Sequence, residues 1–331
     1  MDIRSAIGQM VIVSFPGNSL NRDIEKLFQK YQVGGVIHFK ENIPANSGDL
    51  KILNEKIGAL ALATPRGLPP FITVDEEGGR VSRLKDIIGR FPTQEELGGK
   101  RVEELSASYS TLGAKVAELG FNLTWAPVFD INTNPENPVI GDRSFGADAE
   151  MVSEKCSIAL RALRGAGLFT TAKHFPGHGD TFIDSHISLP VQETAREMLY
   201  ERELAPFRQA VKDKVDFIMT AHILFNAIDE TYPVTFSRKF LQSILREEMG
   251  YEGLIITDDL NMGAVKENYT LKERIKSSVD AGADVLLVRD SSEGIVEFLE
   301  TFYALADSGA LKEERIIESA ERVGRIKGKI A

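Results

Sequence analysis

The chain has 331 residues, 43% of them hydrophobic and 27% charged, the composition of an ordinary soluble globular protein. A net charge of -10 argues against nucleic acid or an anionic membrane as the main partner. The single cysteine, Cys156, excludes an intrachain disulfide, and its place among Met151, Val152, Ile158 and Leu160 points to core packing.

Eight short apolar runs recur along the chain. They are Met10–Phe15, Gly35–Phe39, Phe71–Asp75, Asn122–Phe129, Leu168–Lys173, Phe217–His222, Leu254–Asp258 and Val285–Arg289. Segments with helical spacing separate them: Asp23–Tyr31, Asn46–Ala63, Glu103–Leu119, Ala149–Arg164, Arg196–Lys212, Arg238–Met249 and Leu271–Ala281. Gly294–Ala306 and Lys312–Ile330 then continue at the same period. Parallel strands need helical crossovers, and eight β-then-α units match a closed barrel. The expected fold class is α/β, a single-domain (β/α)8 TIM barrel over residues 1–331, with an open doubly wound sheet as the alternative. No Pro/Gly/Ser-rich linker or charge block divides the chain. No apolar run approaches the ~20 residues of a spanning helix, and the first residues show no signal peptide, so a cytoplasmic location is expected.

A barrel predicts polar groups at the C-terminal ends of its strands. The third run ends in Asp75-Glu76-Glu77-Gly78-Gly79-Arg80 and the fourth leads to Asp130, Asn132 and Asn134. Lys173-His174-Phe175-Pro176-Gly177-His178-Gly179-Asp180-Thr181 follows the fifth, with Asp184-Ser185-His186 close behind. Glycine and proline make a helix unfavourable there, so the segment reads as a loop. Such a loop, crowded with ionisable groups on a rigid scaffold, carries chemistry.

Asp258 leaves an apolar strand, which suits a nucleophile or a stabiliser of positive charge; the plainer reading is a helix cap or a partner for lysine. Asp259 is its neighbour, and alternation along a strand predicts that only one of the two faces the pocket. Asp184 and His186 are two apart, so a carboxylate stands beside an imidazole that can move a proton near neutral pH. A turn closed by an Asp–His hydrogen bond is the plainer alternative. Lys173 and His174 suit donation to substrate hydroxyls. His174 and His178 are four apart, but Phe-Pro-Gly breaks the helix that a metal-binding pair needs, and no metal is expected. His178 reads as a loop-ordering residue bonded to backbone, and His38 and Trp125 as packing. Arg143 suits either a substrate clamp or a pair with Asp142 or Asp148. No phosphate-binding or dinucleotide glycine pattern appears, so no nucleotide cofactor is expected.

The segments 74–81 (VDEEGGRV), 141–146 (GDRSFG), 173–179 (KHFPGHG), 184–186 (DSH) and 257–262 (TDDLNM) occur in one order. Together they resemble glycoside hydrolase family 3, in its β-N-acetylglucosaminidase branch. The resemblance implies that Asp258 is a nucleophile forming a covalent glycosyl-enzyme. It implies that His186 is the general acid/base oriented by Asp184, and that Asp75, Arg83, Arg143, Lys173 and His174 bind the sugar. Glu76 stands where many relatives have Gln. The implied activity is retaining hydrolysis of terminal β-linked N-acetylglucosamine from muropeptide or chitin-type fragments, by a monomer without cofactor. The alternatives are a phosphorylase at the same site, a β-glucosidase-type member, a metal-dependent barrel hydrolase and a silent sugar-binding protein.

Overall fold

Eight parallel strands run in the order of the sequence: β1 (Val11–Val13), β2 (Gly35–His38), β3 (Phe71–Val74), β4 (Leu123–Thr124), β5 (Thr171–Phe175), β6 (Phe217–Thr220), β7 (Leu254–Thr257) and β8 (Leu286–Val288). In this computed structural model, which describes residues 2–182, 184–185 and 187–330, β8-β1-β2-β3-β4 form one continuous sheet and β5-β6-β7 another. Parallel bridges Leu123↔Phe169 and Val128↔Lys173 join β4 to β5, and Ile256↔Val285 joins β7 to β8. The sheet therefore closes on itself as a TIM barrel, and the open-sheet alternative falls.

Strand alternation sorts the apolar residues into two populations. Ile12, Ile37, Phe71, Leu123, Trp125, Phe217, Met219, Leu254, Ile256 and Leu287 fill the barrel. Val11, Val13, Val36, Ile72, Val74, Ile218, Ile255 and Leu286 face outward, where they pack against the helices. Fully burying each such side chain contributes roughly 1.5–3 kcal/mol. The last helix, Glu313–Lys327, covers the N-terminal end of the barrel with Val323 and Ile326 and sets the Lys327 ammonium 5.1 Å above the Phe71 ring. That leaves the opposite, C-terminal end open for a site.

Among the described residues the helices fall where the spacing predicts them, with four additions: Ile3–Gln9, Lys85–Ile88, Gln94–Gly98 and Gly263–Lys266. Ile3–Gln9 is helical, capped by the Asp2 carboxylate, which accepts the Ser5 N–H at 2.9 Å. Ile3, Ala6, Ile7 and Met10 carry its helical spacing. Two strands differ from expectation. The fourth is a pair of residues, because Pro127 brings no N–H to continue the ladder. The fifth runs two residues past its expected end at Lys173, to Phe175, so His174 also belongs to the strand and not to the loop. No helix among the described residues is long and apolar enough to cross a membrane.

Candidate active site

A cavity of about 310 Å³ opens at the C-terminal ends of the strands. Asp75, Arg83, Arg143, Lys173, His174, Asp184 and Asp258 all line it, and Trp125, Met219 and Leu287 form its apolar floor. Seven of the eight predicted site residues thus share one cavity; the eighth, His186, lies outside the described residues. Asp258 follows inward-facing Leu254 and Ile256 at intervals of two, so alternation delivers its carboxylate to the barrel axis. Its Oδ1 accepts the Asp259 N–H at 2.8 Å.

The Asp259 side chain is directed elsewhere. It borders the cavity, but its Oδ1 accepts the N–H groups of Asn261 and Arg289, each at 3.0 Å, and so ties the loops after β7 and β8 together. Burial pushes its carboxyl up to about 6, reinforced by the adjacent Asp258 and opposed by those two amides.

The polar wall is organised by a residue without a predicted role. Glu77 is 3% exposed and accepts two hydrogen bonds from Arg143, Nε and Nη2 each at 2.9 Å. Its Oε1 also lies 2.5 Å from Lys173 Nζ, which reaches Asp75 Oδ1 at 3.1 Å. Arg83 approaches the other oxygen of Asp75 at 3.9 Å. Burial alone raises the Glu77 carboxyl, but Arg143 and Lys173 outweigh it and hold the group well below the usual carboxylate range. Burial likewise lowers the Lys173 ammonium, and Glu77 with Asp75 more than reverses that. Lys173 is therefore kept as a cation inside the barrel. The predicted pairing of Arg143 with Asp142 or Asp148 is not found. Asp142 instead receives Arg80 Nε at 2.7 Å, and Asp148 caps the helix Ala149–Gly165.

The hairpin that presents these acids needs its two glycines. Gly78 and Gly79 take φ of 89° and 57°, and a Cβ on Gly79 would lie 2.6 Å from the Thr93 methyl. Arg80, next in the chain, donates to the carbonyls of Val139 and Ile140 at 2.6 and 2.9 Å and so pins the loop that carries Arg143.

Asp130 organises the other side. Fully buried, it accepts the amides of His174 (3.1 Å) and His178 (2.7 Å) and the His174 Nδ1–H (2.7 Å). Burial raises its carboxyl, but His174 overcomes this and the group sits below its ordinary value. With Asp130 at Nδ1, the other ring nitrogen, Nε2, faces the guanidinium of Arg143 at 3.4 Å. The His174 ring thus stands beside the donors Arg143 and Lys173 at the cavity wall, a polar set suited to the paired hydroxyls of a sugar.

His178 orders its loop through side chains, not backbone as expected: its ring meets Thr181 Oγ1 at 2.8 Å and Ser185 Oγ at 3.0 Å. His38 is packed edge-on between Phe15 and Phe121, and Cys156 is buried. Sequence reasoning overlooked Glu77, Asp130 and Arg80 as site builders. The signal for Glu77 was its spacing: two residues beyond Asp75 in an extended segment, it lies on the same side.

The model of the glycosyl hydrolase family 3 N terminal domain matches residues 2–326. The chain is 31% identical to the beta-hexosaminidase A of Pseudoalteromonas piscicida over 94% of its own length and 56% of that protein. It is 33% identical to the beta-hexosaminidase of Alkalilimnicola ehrlichii over 93% of this chain and 87% of the relative. Among solved structures, the family 3 beta-N-acetylglucosaminidase of Paenibacillus sp. str. FPU-7 superposes with a TM-score of 0.96 at 38% identity, covering 99% of this chain and 62% of that one. The chain therefore spans little more than half the length of some relatives and most of others. A family model matched over nearly the whole chain, on a barrel whose rim carries the family's motifs, places this protein in glycosyl hydrolase family 3.

Proposed function

We propose that residues 1–331 form a single catalytic barrel that releases terminal β-linked N-acetylglucosamine with retained configuration. The observation that carries this reading is the convergence of Asp258 and Asp184 on one cavity already furnished with sugar-hydroxyl partners. Glycosidic cleavage passes through an oxocarbenium-like transition state, and a retaining enzyme supplies a nucleophile and an acid/base. Asp258, on the rigid end of β7, bonds to the anomeric carbon as the bond to the leaving oxygen breaks. His186, two residues beyond Asp184 in sequence, gives that oxygen a proton. In the second step it takes a proton from water, which displaces Asp258 and restores the carboxylate. Proton donation to the leaving group contributes about 10²–10⁴-fold. Asp75, Arg83, Arg143, Lys173 and His174 hold the sugar being cleaved.

The hexosaminidases and the acetylglucosaminidase named above support the choice of sugar. Muropeptide or chitin-type fragments, met in the cytoplasm by a monomer, are the proposed substrates. The test is turnover of nitrophenyl β-N-acetylglucosaminide beside the β-glucoside by the wild type and Asp258→Asn. The acetamido substrate is expected to be preferred and the variant to lose at least about 10³-fold. Wild-type turnover by the variant contradicts the assignment.

A further inference from the structure

The loop after β5 is held from both sides at one residue. Phe182 and Ile187 are 74% and 72% exposed, yet Ser185, between them in the chain, is 3% exposed. A hydroxyl buried between such exposed neighbours is there to be hydrogen-bonded. Ser185 Oγ meets His178 Nε2 at 3.0 Å, and the other ring nitrogen meets Thr181 Oγ1 at 2.8 Å. Burial, with His174 nearby, drops the His178 imidazole to about 4, so near neutral pH it is uncharged, with one donor and one acceptor. A hydroxyl at each nitrogen satisfies both. Thr181 is fixed in turn: its carbonyl accepts Asn134 Nδ2 (3.0 Å) and Asn137 Nδ2 (3.1 Å) from the loop after β4. Gly179 packs so closely that a Cβ there would lie 1.7 Å from the Ile131 carbonyl oxygen.

The second attachment runs the other way. The Ser185 carbonyl accepts the Ala264 N–H at 3.1 Å. Ala264 lies in the turn of helix Gly263–Lys266, six residues beyond Asp258 on the same loop. The Asp184 carbonyl accepts the amides of Ile187 (3.0 Å) and Ser188 (3.2 Å), which closes a tight turn around Ser185.

We propose that Ser185 is a positioning residue that sets the Asp184 segment against the Asp258 loop, held by His178 through its hydroxyl and by Ala264 through its carbonyl. It borders the cavity, but its hydroxyl is engaged by His178; its part is to fix the spacing between the two halves of the machinery. The inference rests on the acid/base reading of Asp184 and His186 given above.

The test compares an N-acetylglucosamine disaccharide, whose leaving group needs a proton, with the nitrophenyl glycoside, whose leaving group needs little help. Ser185→Ala is expected to lower kcat on the disaccharide roughly tenfold with KM nearly unchanged, and kcat on the nitrophenyl glycoside by less than about twofold. His178→Phe is expected to behave alike, and the double variant to lose no more than either single one, since both break the same contact. Thermal melting confirms that each variant folds. Equal losses on both substrates, or additive losses in the double variant, overturn the proposal. Asp184→Asn is the control. If it shows the selective loss and Ser185→Ala does not, the acid/base reading stands and the positioning role falls; if neither does, both fall.

Discussion

Glu77 is a carboxylate withdrawn from water and held between two cations, Arg143 and Lys173, both of which also border the cavity. Removing one partner of a buried pair leaves the others uncompensated, at a cost of about 3–5 kcal/mol. Glu77→Gln is therefore expected to lower stability by that order and to raise KM, because Lys173 and Arg143 lose the anion that aims them. Urea unfolding and steady-state kinetics read the two effects; an unchanged midpoint and KM would remove Glu77 from the site's framework. Asp130 stands in the same relation to His174. The side chains proposed to meet substrate were legible in the sequence because the motifs that resemble the family contain them at strand ends. Those that only meet other side chains were not, since their partners come from strands far apart in the chain: Glu77 from beyond β3 and Lys173 from β5.

The hairpin after β3 makes its own prediction. Glu76 is fully buried, and its Oε2 accepts the Leu84 N–H at 2.9 Å. Burial pushes its carboxyl up to about 7, against the pull of that amide. The folded state then holds a proton that the unfolded chain has released, so stability falls as pH rises from about 4.5 to 7 and is greatest below that window. The total is on the order of 3 kcal/mol. Glu76→Gln can still accept the Leu84 N–H and cannot ionise. Its melting temperature should exceed that of the wild type at pH 8 and approach it at pH 5. Parallel pH profiles for the two proteins would contradict a neutral Glu76. At this scale helices were read well, because amphipathic spacing is local. The end of β5 was not: His174 and Phe175 look like loop residues in a glycine- and proline-rich context, and only pairing with the neighbouring strand shows that β5 continues through them.

Across the molecule, the candidate site and a buried charge cluster occupy opposite ends of the barrel. At the N-terminal end Asp284, fully buried, receives Arg246 at 2.5 Å, Arg315 at 3.2 Å and Arg322 at 2.7 Å, together with the Ile255 amide at 3.0 Å. It links the start of β7 to the last helix. Asp284→Asn leaves three guanidinium groups without their anion, and the melting temperature is expected to drop by roughly 10 °C. The protein that remains folded should keep kcat and KM. A change in KM at unchanged stability would show that the two ends are not separate. The eight-unit repeat was legible because β and α periods alternate along the whole chain. Closure was expected from the count of eight units; what the pattern did not show is that two seams close only through isolated bridges, two between β4 and β5 and one between β7 and β8. The account as a whole turns on Asp258 bonding to sugar. A fluorinated N-acetylglucosaminyl fluoride that reacts but releases slowly, followed by peptide mapping, tests this directly. The account predicts one sugar attached to the peptide containing Asp258 and none on Asp258→Asn; an unlabelled wild type, or a sugar on another residue, would contradict it.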